Sequence, residues 1–161
     1  MAQKITPNLW FDIEAEEAAA FYCDVFKHSR VVSVTHYPQS SDKAGTVLTA
    51  EWELNGQRFV GINGGPQFKF DEAVSFEIRC EDQAEVDYYW EKLTADGGEE
   101  SMCGWLKDRY GLSWQVVPEG MEELFSDPHP QRVERAWKAM MDMRKLDIAA
   151  LRSAADGVPA R

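Results

Sequence analysis

A chain of 161 residues with a net charge of −11 can build one domain with a real core, whereas two independent domains would each be small. The acidic balance comes with no Lys/Arg cluster, which argues against a phosphate backbone or an anionic membrane as partner, so neither nucleic acid nor membrane is expected. A neutral or cationic small ligand is easier to accommodate.

Hydrophobic residues at 44% and charged residues at 28% describe an ordinary globular composition. The sequence has no apolar run near the length a membrane span needs and no signal-peptide pattern, which places the expected location in the cytoplasm. Cys23, Cys80 and Cys103 are odd in number and lack CxxC spacing, so they read as free thiols.

In chain order, ITPNLWF (5–11) alternates as a strand and Asp12 precedes an acidic first turn. Ala19, Tyr22, Cys23 and Phe26 then recur at helical spacing. RVVSVTHY (30–37) is strand-like, and 38–45 is a polar loop. TVLTAEWEL (46–54) carries Leu48, Ala50, Trp52 and Leu54 on one face and Val47, Thr49, Glu51 and Glu53 on the other. Asn55–Gly56 predicts a two-residue hairpin turn, and RFVGIN (58–63) returns as the next strand.

The order then repeats. AVSFEIRC (73–80) predicts a strand with Val74, Phe76 and Ile78 on one face and Ser75 and Glu77 on the other. A helix over 81–96 follows, with Val86, Tyr89, Trp90 and Leu93 on one side and Gly97–Gly98 as its stop. Strands near 99–105, 105–110 and 112–117 complete the set. A shift of 67 residues lays Leu9 on Phe76, Phe11 on Ile78, Tyr22 on Tyr89 and Phe26 on Leu93, which predicts two βαβββ modules.

After Pro118 the pattern turns helical: a short helix at GMEELF, a break at DPHP (127–130), an amphipathic helix through QRVERAWKAMMDM, and a last helix over 147–155. Val133, Ala136, Trp137, Met140 and Met141 fall in one broad stripe, which makes the Met cluster a helix-packing surface. This arm either covers its own sheet or packs on a second subunit. The final GVPAR is expected to fray. The fold class is therefore α+β. A single domain over 1–161 is expected, with module one at about 3–68, module two at about 72–118 and a helical arm at about 119–155.

The paired pattern, NGGPQF (63–68), SFEI…EDQAEVDYYWEKL and GGEESMCGWLKDRYGLSWQVVP resemble PhnB-like proteins of the vicinal oxygen chelate superfamily, the glyoxalase/bleomycin-resistance fold. AMMDMRKLDIAAL resembles the same branch, also labelled 3-demethylubiquinone-9 3-methyltransferase-like, so the likeness spans about 3–152. It implies modules that each curl a sheet around a cavity, helices on the outside, and a homodimer. It also implies a divalent metal held by inward His and Glu, which polarises a substrate's vicinal oxygens.

The residues depart from that ligand set. By strand register the inward positions fall near Thr6 or Asn8, Gly61 or Asn63, Ser75, and Gln115, none of which is His, Asp or Glu. No metal and no cofactor are therefore expected. The Gly-rich turn that a doubly wound S-adenosylmethionine enzyme needs after its first strand is also missing.

Within 98–118, Trp105, Trp114 and Gln115 sit where they would line a shared surface, which suits a walled pocket for a small molecule. Asn8, Trp10, Asn63, Ser75, Trp105 and Gln115 are the ligand-binding candidates: Trp10 and Trp105 would stack a flat or cationic ligand, or simply fill the cavity. Asn63 is either a contact at the pocket mouth or a turn residue. Glu51 and Glu77 read as a general base and a cation anchor, or as solvated rim residues. Cys103, in alternation with Ser101 and Trp105, reads as a cavity-wall nucleophile or as a small packed side chain. The function expected is metal-independent binding or sequestration of a small, cationic or aromatic molecule. A glyoxalase-type lyase or isomerase, or a carboxylate acid/base enzyme, is the alternative, and the methyltransferase role comes third.

Overall fold

The computed structural model describes residues 4–158, and the chain divides into two compact units, Met1–Phe70 and Asp71–Arg161. In the first, β1 (Asn8–Phe11), α1 (Ala15–Val25), β2 (Ser29–His36), β3 (Val47–Leu54) and β4 (Gln57–Asn63) form a sheet in the order β1-β4-β3-β2. β1 runs parallel to β4, and the other pairs are antiparallel. The strand expected from Ile5 begins only at Asn8, after Pro7, which has no N–H to give to a ladder.

One face of this sheet is covered by α1. Leu9, Phe11, Ala50, Trp52 and Phe59 point there and bury against Ala18, Tyr22 and Val25. The Trp52 ring stacks between Tyr22 and Phe59, with centroids 5.7 and 5.8 Å away. A Cβ on Gly61 would lie 2.9 Å from the Ala15 Cβ, so the glycine lets helix and strand approach closely. The predicted hairpin turn stands as expected, with Asn55 and Gly56 at φ of 46° and 85°.

The second unit repeats the topology: β5 (Ser75–Cys80), α2 (Gln83–Thr94), β6 (Glu99–Glu100), β7 (Trp105–Lys107) and β8 (Ser113–Pro118), in the order β5-β8-β7-β6. The fold is α+β, two four-stranded βαβββ units with C-terminal helices. Ser75 follows Asn8 by 67 residues, but their cross-strand partners Ser113 and Val60 are only 53 apart. The missing residues come out of the outer strands. β6 stops after two residues because the chain turns through Cys103 and Gly104, both at positive φ, instead of running straight to 105.

α2 starts on a side-chain cap: Asp82 Oδ1 accepts from the Glu85 N–H at 2.8 Å, and Glu85 Oε2 accepts from the Glu81 N–H. Val86, Tyr89, Trp90 and Leu93 bury against Ile78, Leu106, Trp114 and Val116. Beyond β8, α3 (Met121–Phe125), α4 (Pro130–Met141) and α5 (Ile148–Ala155) close a small core of their own around Leu124, Ala136, Leu146, Leu151 and Ala155.

This arm docks on its own unit, against α2 and the 102–104 turn. The Cys103 and Gly104 N–H groups donate to Met143 and Arg144 carbonyls, each at 2.7 Å. The Gln83 amide clasps the arm from both sides, donating to the Leu146 carbonyl and accepting from the Ile148 N–H. The expected apolar stripe of α4 splits in consequence. Ala136 is buried and Met140 packs on the arm's core, while Trp137 and Met141 face outward, 53% and 46% exposed. Of the tail expected to fray, 159–161 lie outside the described residues, as does residue 3 at the start of module one.

Candidate functional site

Each sheet has one helix-covered face and one open face. On the open face of the second sheet, strand register assembles a row across three strands: Glu77 on β5 is opposite Gln115 on β8, which is opposite Trp105 on β7. The neighbouring row holds Ser75, Ser113, Lys107 and Glu99. Gln115 Nε2 donates to Ser75 Oγ at 2.9 Å, linking the two rows. Four of the sequence-predicted residues thus share one surface.

Charges flank it. Arg79 Nε pairs with Glu77 Oε1 at 3.0 Å, and Lys107 Nζ pairs with Glu72 Oε1 at 2.7 Å. The Lys107 hydrogen bond holds the Glu72 carboxyl below its ordinary value, and Glu72 raises Lys107 in return. Two hollows adjoin the row. Trp105, Lys107 and Ser113 line one of about 110 Å³, and Glu77, Arg79 and Val117 line the edge of an open cleft of about 740 Å³.

Trp114 does not join this surface. It pairs with Leu106, points to the helix-covered face and is 3% exposed, because adjacent residues of a strand face opposite ways. Its indole N–H donates to Asp108 Oδ2 at 2.8 Å. Asp108, which was not singled out from the sequence, is buried and also accepts from the Tyr110 and Leu112 N–H groups, fixing the turn at Tyr110–Gly111. An Asp two residues ahead of a predicted turn is the signal that could have found it.

Cys103 is likewise not in the cavity wall. Its Sγ lies 3.6 Å from the Met140 carbonyl and 3.7 Å from Met141 Sδ, against the arm. The alternation expected from Ser101 to Trp105 is broken by the turn. Burial pushes the Cys80 thiol up to about 12, with the Glu85 and Asp82 carboxylates adding to it, and burial also raises Cys23.

In the first unit, the open face of β1 and β4 carries Asn8, Trp10, Val60 and Ile62. The expected inward positions on β4, Gly61 and Asn63, are one residue out of register and face α1 instead. Asn63 is 5% exposed, and both ends of its amide are engaged: Oδ1 accepts from the Ala15 N–H at 2.8 Å, and Nδ2 donates to the Val47 carbonyl at 3.1 Å. It caps α1, whose own N-cap Glu14 makes no side-chain cap bond, and its amide is thereby turned toward the helix. Trp10 is half-buried. Its indole N–H donates to the Gly65 carbonyl at 2.8 Å and its ring meets Phe68 edge-on at 5.1 Å. Asn8 donates to the Thr6 carbonyl. Glu51 is held by Arg58 at 2.5 Å and by the Ser33 hydroxyl.

The family model described as 3-demethylubiquinone-9 3-methyltransferase matches residues 3–117. The PhnB protein from Bacillus cereus is 38% identical over 72% of this chain and 99% of its own, with a TM-score of 0.66. The chain belongs to this family, and with it to the vicinal oxygen chelate superfamily. A protein from Pseudomonas aeruginosa shares the fold at 19% identity (73% of this chain, 98% of that one, TM-score 0.61). So does a mutant of the fosfomycin resistance protein FosX from Listeria monocytogenes, complexed with Mn(II) and 1S,2S-dihydroxypropylphosphonic acid, at 17% identity (76% and 98%, TM-score 0.54). No curated protein matches the chain. The family match ends at Val117, short of the expected 152, so α3–α5 lie beyond it.

The superfamily's metal does not fit the donors found here. The open face of β5 and β8 offers Ser75, Glu77, Ser113 and Gln115, a single carboxylate already paired with Arg79. Among the described residues no group of three His, Cys, Asp or Glu could hold a metal ion. A Gly-rich cradle for a methyl donor is likewise missing: β1 passes to α1 through Asp12, Ile13 and Glu14. Among the described residues no helix is long and apolar enough to cross a membrane.

Proposed function

We propose that this PhnB-like protein binds a small organic molecule across the open face of its second sheet, through side chains and without a resident metal, as a homodimer in the cytoplasm. The observation that carries the reading is the row Glu77–Gln115–Trp105, tied to Ser75 by a 2.9 Å hydrogen bond. It combines a half-buried indole face, a carboxamide with one end free to meet a ligand, and a carboxylate. A flat or cationic molecule stacks on Trp105 and bonds to Gln115. The calorimetric affinity for the probe or metabolite that most shifts the protein's tryptophan fluorescence should weaken at least fivefold in Gln115→Ala and Trp105→Ala; unchanged affinity in both refutes the reading.

An acid/base enzyme is the second reading, favoured by the position of Glu77 beside Gln115 and at the edge of the larger cleft. In it, a proton moves to or from Glu77 once a ligand draws Arg79 away. Turnover abolished by Glu77→Gln with binding retained would select it over sequestration.

A further inference from the structure

The geometry points to a zwitterion as the ligand of the open face: a small molecule with a flat body, an ammonium group at one end and a carboxylate at the other. The inference rests on the open-face reading above. It adds the ligand class, with Lys107, Ser113 and Glu72 as the residues that select the acidic end.

Six residues form a grid of two rows on that face. Glu77, Gln115 and Trp105 make one row, and Ser75, Ser113 and Lys107 make the next. Glu77 and Lys107, the two charges of the grid, therefore stand at diagonal corners. They are two strands apart, roughly 10 Å across the sheet. Gln115 and Ser113 lie between them on β8, and Trp105 is beside Lys107 on β7.

Each of the two charges is held from outside the grid by a partner that solvent already surrounds. The Arg79 side chain, which pairs with Glu77, is 79% exposed, and that of Glu72, which pairs with Lys107, is 66% exposed. Exposed pairs of this kind hold weakly. A ligand ammonium can take the place of the Arg79 guanidinium, and a ligand carboxylate that of Glu72. Each exchange is like charge for like, so the face keeps its charge balance. A simple cation makes the exchange at one corner only, and so does a simple acid.

The acidic end has a hollow of its own. Trp105, Lys107, Ser113 and Glu72 line the space of about 110 Å³. At roughly 30 Å³ for each water, that is room for a carboxylate head and not for a whole ligand. Ser113 is 1% exposed, and among the described residues its hydroxyl makes only a long bond, 3.4 Å to the Asp71 carbonyl. A buried hydroxyl so weakly engaged has a donor for a better acceptor. Two more carboxylates reach the rim. Glu100 is engaged elsewhere, by the Trp90 indole N–H at 2.8 Å and by Arg144 at 3.5 Å. Glu99 is the cross-strand partner of Lys107 and, with Asp71, adds to the negative field on it. An acid therefore gains at this corner only by displacing Glu72.

The test is a calorimetric titration of the full-length protein with 4-(aminomethyl)benzoate. Benzylamine and 4-methylbenzoate are the controls, each keeping the ring and losing one charge. The wild type should bind the zwitterion at least tenfold more tightly than either control. Glu72→Gln removes the internal competitor and should raise affinity for both carboxylates threefold or more relative to benzylamine. Lys107→Met should lower the zwitterion to the level of benzylamine, and Glu77→Gln should lower it to the level of 4-methylbenzoate, with melting temperatures recorded beside each titration. No saturable binding of the zwitterion, no preference for it over the controls, or wild-type affinities in Glu72→Gln overturns the inference. If the zwitterion is not preferred while Trp105→Ala and Gln115→Ala weaken the fluorescence-selected ligand, the ligand class is wrong and the open-face site stands. If Trp105→Ala and Gln115→Ala bind both that ligand and the zwitterion as the wild type does, the open-face reading fails and this inference falls with it.

Discussion

Gln115 and Trp105 are direct cross-strand partners on β8 and β7, and the Gln115 amide reaches the other way to the Ser75 hydroxyl on β5. One side chain therefore ties three strands into a single surface. Its hydrogen bond is half-buried, and such a bond contributes about 0.5–1.5 kcal/mol to stability. Gln115→Ala and Ser75→Ala should each lower stability by no more than about 1.5 kcal/mol in urea melts. Ligand affinity should fall in both, which separates a binding role from a structural one.

Asn63 behaves in the opposite way. Removing its amide leaves the Ala15 N–H and the Val47 carbonyl without their bonds on a buried face. Asn63→Ala should cost roughly 1–3 kcal/mol, the range for a buried polar group left unsatisfied. Affinity for a ligand of the second sheet should not change, as an equilibrium titration beside the urea melt would show.

Asp108 anchors the turn before β8 through two backbone N–H groups and the Trp114 indole. Asp108→Ala strands three donors at once and should cost about 3 kcal/mol or more. Asp108→Asn keeps an acceptor for the backbone and should cost about 1–2 kcal/mol. Near-ultraviolet circular dichroism of the Trp114 environment follows the loss directly.

Thiol chemistry follows burial. Cys80 is fully buried with its thiol pushed up to about 12, so a thiol-specific reagent at pH 8 should leave it unmodified until the protein unfolds. Because the folded value is raised, the associated stability is present below the unfolded thiol value and declines as pH rises from there toward about 12. Melting temperatures from pH 8 to 11 for wild type and Cys80→Ala should converge as this contribution is lost.

Acid should loosen the arm. Lys145 and Gln83 hold Asp87 below the usual carboxylate range, and the His129 N–H and Arg132 do the same for Asp127. Depressed folded values mean that the stability is present above the unfolded carboxylate value and lost as pH falls through the folded one. Below about pH 4, the ordinary Asp value, the wild-type melting temperature should fall more steeply than that of Asp87→Asn.

The paired modules were legible because their signals are local: Asn55–Gly56 for the hairpin, the alternation of Trp52 with Glu51 and Glu53, and the helical spacing of Val86, Tyr89, Trp90 and Leu93. Ser75, Glu77, Trp105 and Gln115 came together as alternation implies, because β5, β7 and β8 are regular where those residues sit. Asn63 and Cys103 were misplaced for different reasons. The face of a strand flips with a one-residue error in register, and β4 was read one residue out. Cys103 was carried off the sheet by a left-handed turn at a non-glycine residue, a choice set by tertiary contacts with Met143 rather than by local sequence. The arm's docking was likewise beyond local pattern, since Gln83 and Leu146 are 63 residues apart.

The most direct measurement is a backbone-amide nuclear magnetic resonance titration of the isotope-labelled protein against a library of small organic cations, aromatics and neutral metabolites. The account predicts at least one saturable compound whose shift changes concentrate at 75–79, 105–107 and 113–117, with no metal added. Shifts confined to residues elsewhere, or a response of these amides only to a stoichiometric divalent metal, would contradict it.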